Sequence, residues 1–160
     1  MSTENIDRID RKLLDELQQD ARITIAELAE RVGLSATPCA RRIKRMEENG
    51  LIEGHYIRLD PEKLGLKLMA IIQISMDRHT PDRFAHFEAE IARHPEIIEC
   101  LLITGQSADY QLKVIVTDMS SYQDFLLNVI TRIEGVADVH SSFIMRRVRD
   151  TRALPLNHLS

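Results

Sequence analysis

The sequence predicts an α+β protein in two parts, an N-terminal trio of helices and a C-terminal βαββαβ array. Two observations predict it. Between Ile6 and Met46, apolar residues recur at three- and four-residue intervals, the period of helices with one buried face. From Leu68 onward the apolar residues alternate, as in strands with one face inward, and helical stretches interrupt them twice. At 160 residues the chain has enough material for two small cores.

Ile6, Ile9, Leu13, Leu14 and Leu17 predict a first helix from about Asp7 to Gln19. A second opens at Thr24 with Glu27 three residues on, a capping box that satisfies the first unpaired backbone donors. Ile23 and Leu28 flank it at hydrophobic-staple spacing, and Ile25, Leu28, Ala29 and Val32 make its inward face. Gly33 ends it where a positive φ is needed. Leu34 pins the turn, Ser35 or Thr37 caps a third helix, and Pro38 lies in its first turn. Cys39, Ile43 and Met46 give that helix a narrow apolar stripe; Thr37, Arg41, Lys44 and Arg45 lie opposite, with Arg42 on the flank.

Between Ala36 and Met46 there are four basic residues and no acidic one. A helix braced from behind and cationic in front suits the major groove of duplex DNA, so this is a helix-turn-helix reading. Arg41 and Arg45 can each bond a guanine edge bidentately, worth roughly 1–3 kcal/mol of discrimination. Lys44 and Arg42 suit phosphates, and Ser35, Thr37 and Pro38 complete the DNA-facing set. After Asn49-Gly50, the stretch LIEGHYIRL predicts a short strand or wing; packing or exposure is the simpler role for His55, Tyr56 and Arg58.

The net charge of −4 does not advertise a nucleic-acid binder, so any positive field is local to the third helix. With two cysteines, no CxxC pair and six scattered histidines, neither a disulfide framework nor a metal site is expected; Cys39 reads as a small buried residue. No apolar run is long enough for a membrane span, and MSTENIDRID has no leader-like apolar core, which implies a cytoplasmic protein without a membrane partner.

DPEKLGLK, with Pro61 and Gly65, reads as a linker. Beyond it Leu68 to Met76, Ile97 to Thr104, Tyr110 to Val116 and Val136 to Val148 predict four strands. Pro81 opens one helix with Phe84, Phe87 and Ile91 inward, and Met119 to Ile133 predicts another. The order is the split βαβ, ferredoxin-like arrangement. Its helices cover one sheet face, while Ile71 and Ile115 on the other imply at least a dimer.

The segments IDRIDRKLLDELQQDARIT, LAERVGLSATPCARRIKRMEENGLI, TGQSADYQLKV and TDMSSY resemble the leucine-responsive regulatory protein/AsnC (Lrp/AsnC) family, the feast/famine transcription regulators. The resemblance spans nearly the whole chain and stops at the tail. It implies a winged helix-turn-helix DNA-binding domain over 1–60, a hinge over 61–67, a ferredoxin-like effector-binding and oligomerisation domain over 68–149, and a tail over 150–160. It further implies dimers formed through the sheet faces and assembling to octamers, no cofactor, and a small amino acid (leucine or methionine) bound where dimers meet. Carried onto this chain, that site falls at Leu101, Ile103, Thr104, Gly105, Gln106, Ser107, Asp109 and Tyr110, with Met119 and Ser142 nearby. Three residues separate Gly105 from Asp109, one more than is usual in the family. Gly105 permits close backbone approach to a carboxylate, and Asp109 suits an ammonium; the simpler reading of the pair is a tight turn.

An amino-acid-binding enzyme is the rival reading. Asp109, Tyr110 and His140 are chemically capable, but no nucleophile–base pair or phosphate loop is legible. An RNA- or protein-binding ferredoxin-like module is the other, and aromatic residues, at 4%, are too sparse for base stacking.

Overall fold

The computed structural model describes residues 6–105 and 108–156. The chain divides into two compact units, Met1–Arg58 with Arg149–Ser160, and Leu59–Val148.

The first unit holds α1 (Arg8–Gln19), α2 (Ile25–Val32) and α3 (Ala36–Glu48). Asp7 caps α1: its Oδ1 accepts the N–H groups of Ile9 and Asp10, both at 2.8 Å. Asp10 Oδ2 accepts the Asp7 N–H in return, at 3.3 Å. The Thr24–Glu27 box forms at α2 as its spacing predicts, with Thr24 Oγ1 accepting from Glu27 N and Glu27 Oε2 from Thr24 N. Gly33 closes α2 at φ +75°, a left-handed turn in which a β-carbon would be strained. Ser35 occupies the N-cap of α3 without bonding it through its side chain. Leu13, Leu28, Ala29, Val32, Cys39, Ile43 and Met46 form the core, with Ile9, Leu14, Leu17, Ile23, Leu34 and Ile52 packed around it. Full burial of Leu13 or Leu28 contributes about 1.5–3 kcal/mol each.

One expectation for this unit is corrected. Residues 51–60 form no strand; they are an extended segment without a ladder partner among the described residues. A strand needs a neighbour for its backbone donors, and side-chain contacts hold this segment instead. The partner is the tail, the stretch at which the family resemblance stops. Arg58 donates to the Asp150 carbonyl and carboxylate at 3.3 and 3.2 Å. The Arg152 guanidinium stands 5.8 Å from the Tyr56 ring centre, and Gln18 exchanges two hydrogen bonds with the Leu154 backbone.

The second unit is a four-stranded antiparallel sheet in the order β2-β3-β1-β4, from β1 (Leu68–Met76), β2 (Ile97–Leu102), β3 (Tyr110–Val116) and β4 (Val136–Phe143). That order is the ferredoxin-like one. Helices α4 (Pro81–Ile91) and α5 (Met119–Asn128) cover one face. Ala70, Ile72 and Ile74 of β1 face inward beside Leu112, Val114 and Tyr110 of β3, against Phe87, Tyr122 and Phe125. The Tyr122 hydroxyl donates to Ser141 Oγ, tying α5 to β4. On the opposite face Ile71 and Ile115 are half-buried among Gln73, Gln111 and Lys113.

The second helix expected to reach Ile133 ends at Asn128, and Ile130–Arg132 forms a single 3-10 turn. The β-branched run Val129-Ile130-Thr131 is a poor helix former. Thr131 Oγ1 and Arg132 Nε both take the Leu127 carbonyl, satisfying the helix end. β4 stops at Phe143 instead of Val148: its ladder with β1 ends at the Ala70–Phe143 pair, one bond from Ile144 N–H to Met69 O follows, and β1 itself begins only one residue further, at Leu68.

Candidate nucleic-acid interface and effector site

Three stripes run along α3. Cys39, Ile43 and Met46 face the core at i, i+4, i+7 spacing. Thr37, Arg41 and Lys44, at the same spacing, are exposed on the other side. Between them lie Arg42 and Arg45, and here the structure departs from the sequence reading. Arg42 Nη1 is 2.6 Å from Asp7 Oδ2 and 2.8 Å from Asp10 Oδ1; Arg45 Nη2 is 2.6 Å from Asp10 Oδ2. Both arginines, assigned above to DNA, turn toward the start of α1. The cause is Asp10: only 1% exposed, its carboxylate would be costly to bury without cationic donors. The side-chain bonds to Asp10 and Asp7 push the Arg42 pKa up. Asp7 is held below its ordinary value, first by the Asp10 backbone N–H and then by Arg42. The only trace of this in sequence is Asp7 and Asp10 at i, i+3 on one helix against Arg42 and Arg45 at i, i+3 on another, a pairing legible only once the helices cross.

Arg41 has no ion-pair partner among the described residues, and Lys44 makes only an exposed 3.6 Å contact with Glu48, worth little. Ser35 is exposed and Pro38 half-buried at the N-terminal end of α3. The cationic front is therefore narrower than the sequence count implies, and centred on Arg41 and Lys44.

In the second unit the expected effector residues separate into groups. Thr104 and Gly105 are exposed in the turn after β2, Gly105 at φ +92° with open space where a β-carbon would be. Gln106 and Ser107 lie outside the described residues. Leu101 is exposed on the sheet face away from the helices, opposite Gln111 on β3, and Ile103 is half-buried. Asp109, assigned above to an ammonium, is committed to the fold: Oδ2 accepts the Met76 N–H at 2.7 Å, and Oδ1 lies 2.8 Å from His79 Nε2. Its N–H donates to Ile74 O, and its carbonyl accepts from Ile103 N. Tyr110 is buried, with ring centres 4.6 Å from Phe87 and 5.7 Å from Phe84, and its hydroxyl donates to Glu88 at 2.8 Å. Burial, then Glu88, drive its pKa up, so it stays a neutral donor in the core.

Met119 and Ser142 do not join that turn. Ser142 sits opposite Ile71, halfway along β1. Met119 opens α5 just past the Val116 end of β3, whereas the Gly105 turn precedes its Tyr110 end. The length of β3, about 20 Å at ~3.4 Å per residue, separates them. The sequence also gave no hint of an open groove of about 450 Å³ between α4 and β2, lined by Glu88, Ile91, His94, Ile98, Cys100 and Leu102. Among the described residues, no three His, Cys, Asp or Glu side chains are grouped to hold a metal ion, and no helix is long and apolar enough to cross a membrane.

Comparison with known proteins bears directly on these two units. Residues 6–53 match the model of a winged helix-turn-helix DNA-binding domain, and residues 69–154 that of the Lrp/AsnC ligand-binding domain. The Bkd operon transcriptional regulator of Pseudomonas aeruginosa is 42% identical over 94% of this chain and 98% of its own length. The leucine-responsive regulatory protein of Salmonella typhimurium is 41% identical over 94% of this chain and 91% of its own. A transcriptional regulator from Neisseria meningitidis, solved in complex with L-methionine, superposes with a TM-score of 0.92 at 38% identity, covering 98% of this chain and all of that one. A feast or famine regulatory protein from M. tuberculosis, also solved with L-methionine, gives 0.82 at 30% identity over 93% of this chain and 98% of its own. These relatives are regulators, not enzymes, and their two-part architecture is the one found here. The chain belongs to the Lrp/AsnC family of transcriptional regulators.

Proposed function

We propose that this regulator reads duplex DNA through the exposed stripe of α3 and responds to a small apolar amino acid, leucine or methionine. The observation that carries the DNA reading is the separation of faces on α3: Thr37, Arg41 and Lys44 stand exposed while Cys39, Ile43 and Met46 anchor the back. Arg41 supplies the bidentate base contact, Lys44 a phosphate contact, and Ser35, Thr37 and Pro38 line the entry to the groove. Arg42 and Arg45 align the helix instead.

The effector site is built from Leu101, Ile103, Thr104 and Gly105, with Gln106 and Ser107, and is completed by Met119 and Ser142 of another copy. Two observations support the sharing: the length of β3 between the Gly105 turn and Met119, and the apolar residues left half-buried on the open sheet face. Backbone N–H groups around Gly105 take the carboxylate, and Leu101, Ile103 and Met119 wall the side chain. The two relatives solved with L-methionine support an amino acid of this kind. The protein assembles as a homodimer through the face of Met69, Ile71 and Ile115, and dimers build to an octamer on cytoplasmic, nucleoid DNA. Ligand that binds one assembly better than another shifts how many half-sites are held together.

Titrating leucine and methionine into the purified protein, with DNA affinity and sedimentation followed together, tests this reading. Either amino acid is expected to change both. An affinity and a mass indifferent to both would overturn the effector half; failure to prefer any duplex over another would overturn the DNA half.

A further inference from the structure

We propose that Asp10 is a charge-masking positioning residue, whose buried carboxylate withholds Arg42 and Arg45 from DNA phosphates and, by fixing the rotation of α3, sets the regulator's preference for its operator over other duplex DNA. The inference rests on α3 being the DNA-facing helix. Asp10 lies at the third position of α1, 1% exposed, and receives Arg42 Nη1 at 2.8 Å and Arg45 Nη2 at 2.6 Å. Asp7, half-exposed beside it, takes the same Arg42 nitrogen at 2.6 Å. Two carboxylates thus face two guanidiniums at the flank of the helix that carries Arg41 and Lys44.

The buried Asp10 carboxylate explains why the arginines turn inward, but net stability is a weak reason for a carboxylate to stand there. A buried ion pair typically gains little over an apolar pair of the same shape, since desolvation offsets the attraction. What the cluster changes is the charge that α3 presents. Each cation that reaches a phosphate steepens the fall of log affinity with log salt by about 0.9, and does so on any sequence. Indiscriminate contacts of that kind raise affinity for competing DNA as much as for the operator. Pairing Arg42 and Arg45 with acidic groups removes that background. It also fixes the rotation of α3 about its axis, since an i, i+3 pair of arginines is held by a single carboxylate on α1, and so fixes where Arg41 points.

The test uses the full-length chain and two duplexes of equal length, an operator fragment selected from the native genome and a scrambled sequence, across a range of KCl. Asp10→Asn keeps the shape and removes the charge. The expected result is tighter binding of the scrambled duplex, a salt slope steeper by about 0.9 for each arginine released, and operator preference reduced about tenfold, on the scale of one misplaced base contact. Adding Arg45→Gln to Asp10→Asn should return the slope by about 0.9, whereas Arg42 keeps its 2.6 Å contact with Asp7. Scrambled-duplex affinity that stays constant, or falls in step with operator affinity, overturns the proposal, because a merely structural role would weaken both together. Should Asp10→Asn fail to fold, the double variant Asp7→Asn with Arg42→Gln, compared with Asp7→Asn, carries the test: asparagine remains a good N-cap, Asp7→Asn loosens Arg42 while Asp10 still holds it at 2.8 Å, and the same direction at less than half the size is expected, reversed by Arg42→Gln. A wild-type protein without operator preference would overturn the DNA reading itself, and that outcome is distinct from a failure confined to the variants.

Discussion

Asp109 Oδ2 accepts the backbone N–H of Met76 at 2.7 Å, so the turn leaving β2 is fastened to the last residue of β1. A side chain with the right chemistry for an ammonium is spent on the fold. Asp109→Ala should destabilise the protein by about 1–3 kcal/mol, the cost of leaving a largely buried donor without a partner. Asp109→Asn, which keeps an acceptor oxygen, should lose much less. Urea unfolding compares them, and methionine affinity that survives in Asp109→Asn would mark the residue as an anchor and not a ligand.

The exposed stripe of α3 separates base reading from phosphate contact. Arg41→Ala should cost about 1–3 kcal/mol on the operator alone and relax choice at one base position. Lys44→Ala should weaken all sequences alike and lower the salt slope by about 0.9. Anisotropy titrations on operator and scrambled duplexes separate the two.

At the start of α2, Thr24→Ala removes one half of the capping box, in which Thr24 Oγ1 accepts the Glu27 N–H at 3.2 Å. A loss of about 0.5–2 kcal/mol is expected. Amide exchange should speed over Ile25–Val32 while the sheet of the other unit stays protected.

The Asp7 carboxyl is held below its ordinary 3.8 by the Asp10 N–H and by Arg42. With a folded pKa below the unfolded one, the unfolded chain binds the proton first as acid is added. Its stabilising contribution is therefore complete above the unfolded value and disappears as pH falls through the folded one. Between about pH 5 and pH 3, wild-type thermal midpoints should fall more steeply than those of Asp7→Asn. Equal slopes would show that Asp7 titrates alike in both states.

A shared effector site predicts complementation. Gly105 sits at φ +92°, so Gly105→Val strains the turn, and Met119→Ala shortens the opposite wall. Each variant alone should bind methionine weakly. Refolded together, they should recover a fraction of wild-type sites, because mixed contacts pair an intact turn with an intact Met119. Calorimetry reads the number of sites, and no recovery would place both residues in one protomer's pocket or in none.

Local chemistry made most of the fold legible. Thr24–Glu27, Gly33 and the inward stripe of Leu28, Ala29 and Val32 act within a few residues of one another, so the order of letters is enough to place α2. The alternation of β1 and β3 fixes their faces equally well. What escaped depends on partners remote in the chain. Nothing near Arg42 or Arg45 announces Asp10, and nothing near Asp109 announces Met76. The extended segment around Tyr56 resembled a strand because its residues suit one, but a strand exists only with a neighbour, and its neighbour is Arg152. For the candidate sites the lesson is the same: residue type suggested the chemistry, and long-range pairing decided which side chains remained available for it.

Because Arg149 and the residues after it belong with α1–α3, the backbone passes between the units twice, at Arg58–Leu59 and again at Val148–Arg149. Arg58 holds the Asp150 carboxylate at 3.2 Å, so the outgoing and returning chains are riveted side by side. A truncation at Val148 would therefore strip the first unit of part of its own packing, the Asp150 contact with Arg58 and the Arg152 contact with Tyr56, although the residues removed lie at the far end of the chain.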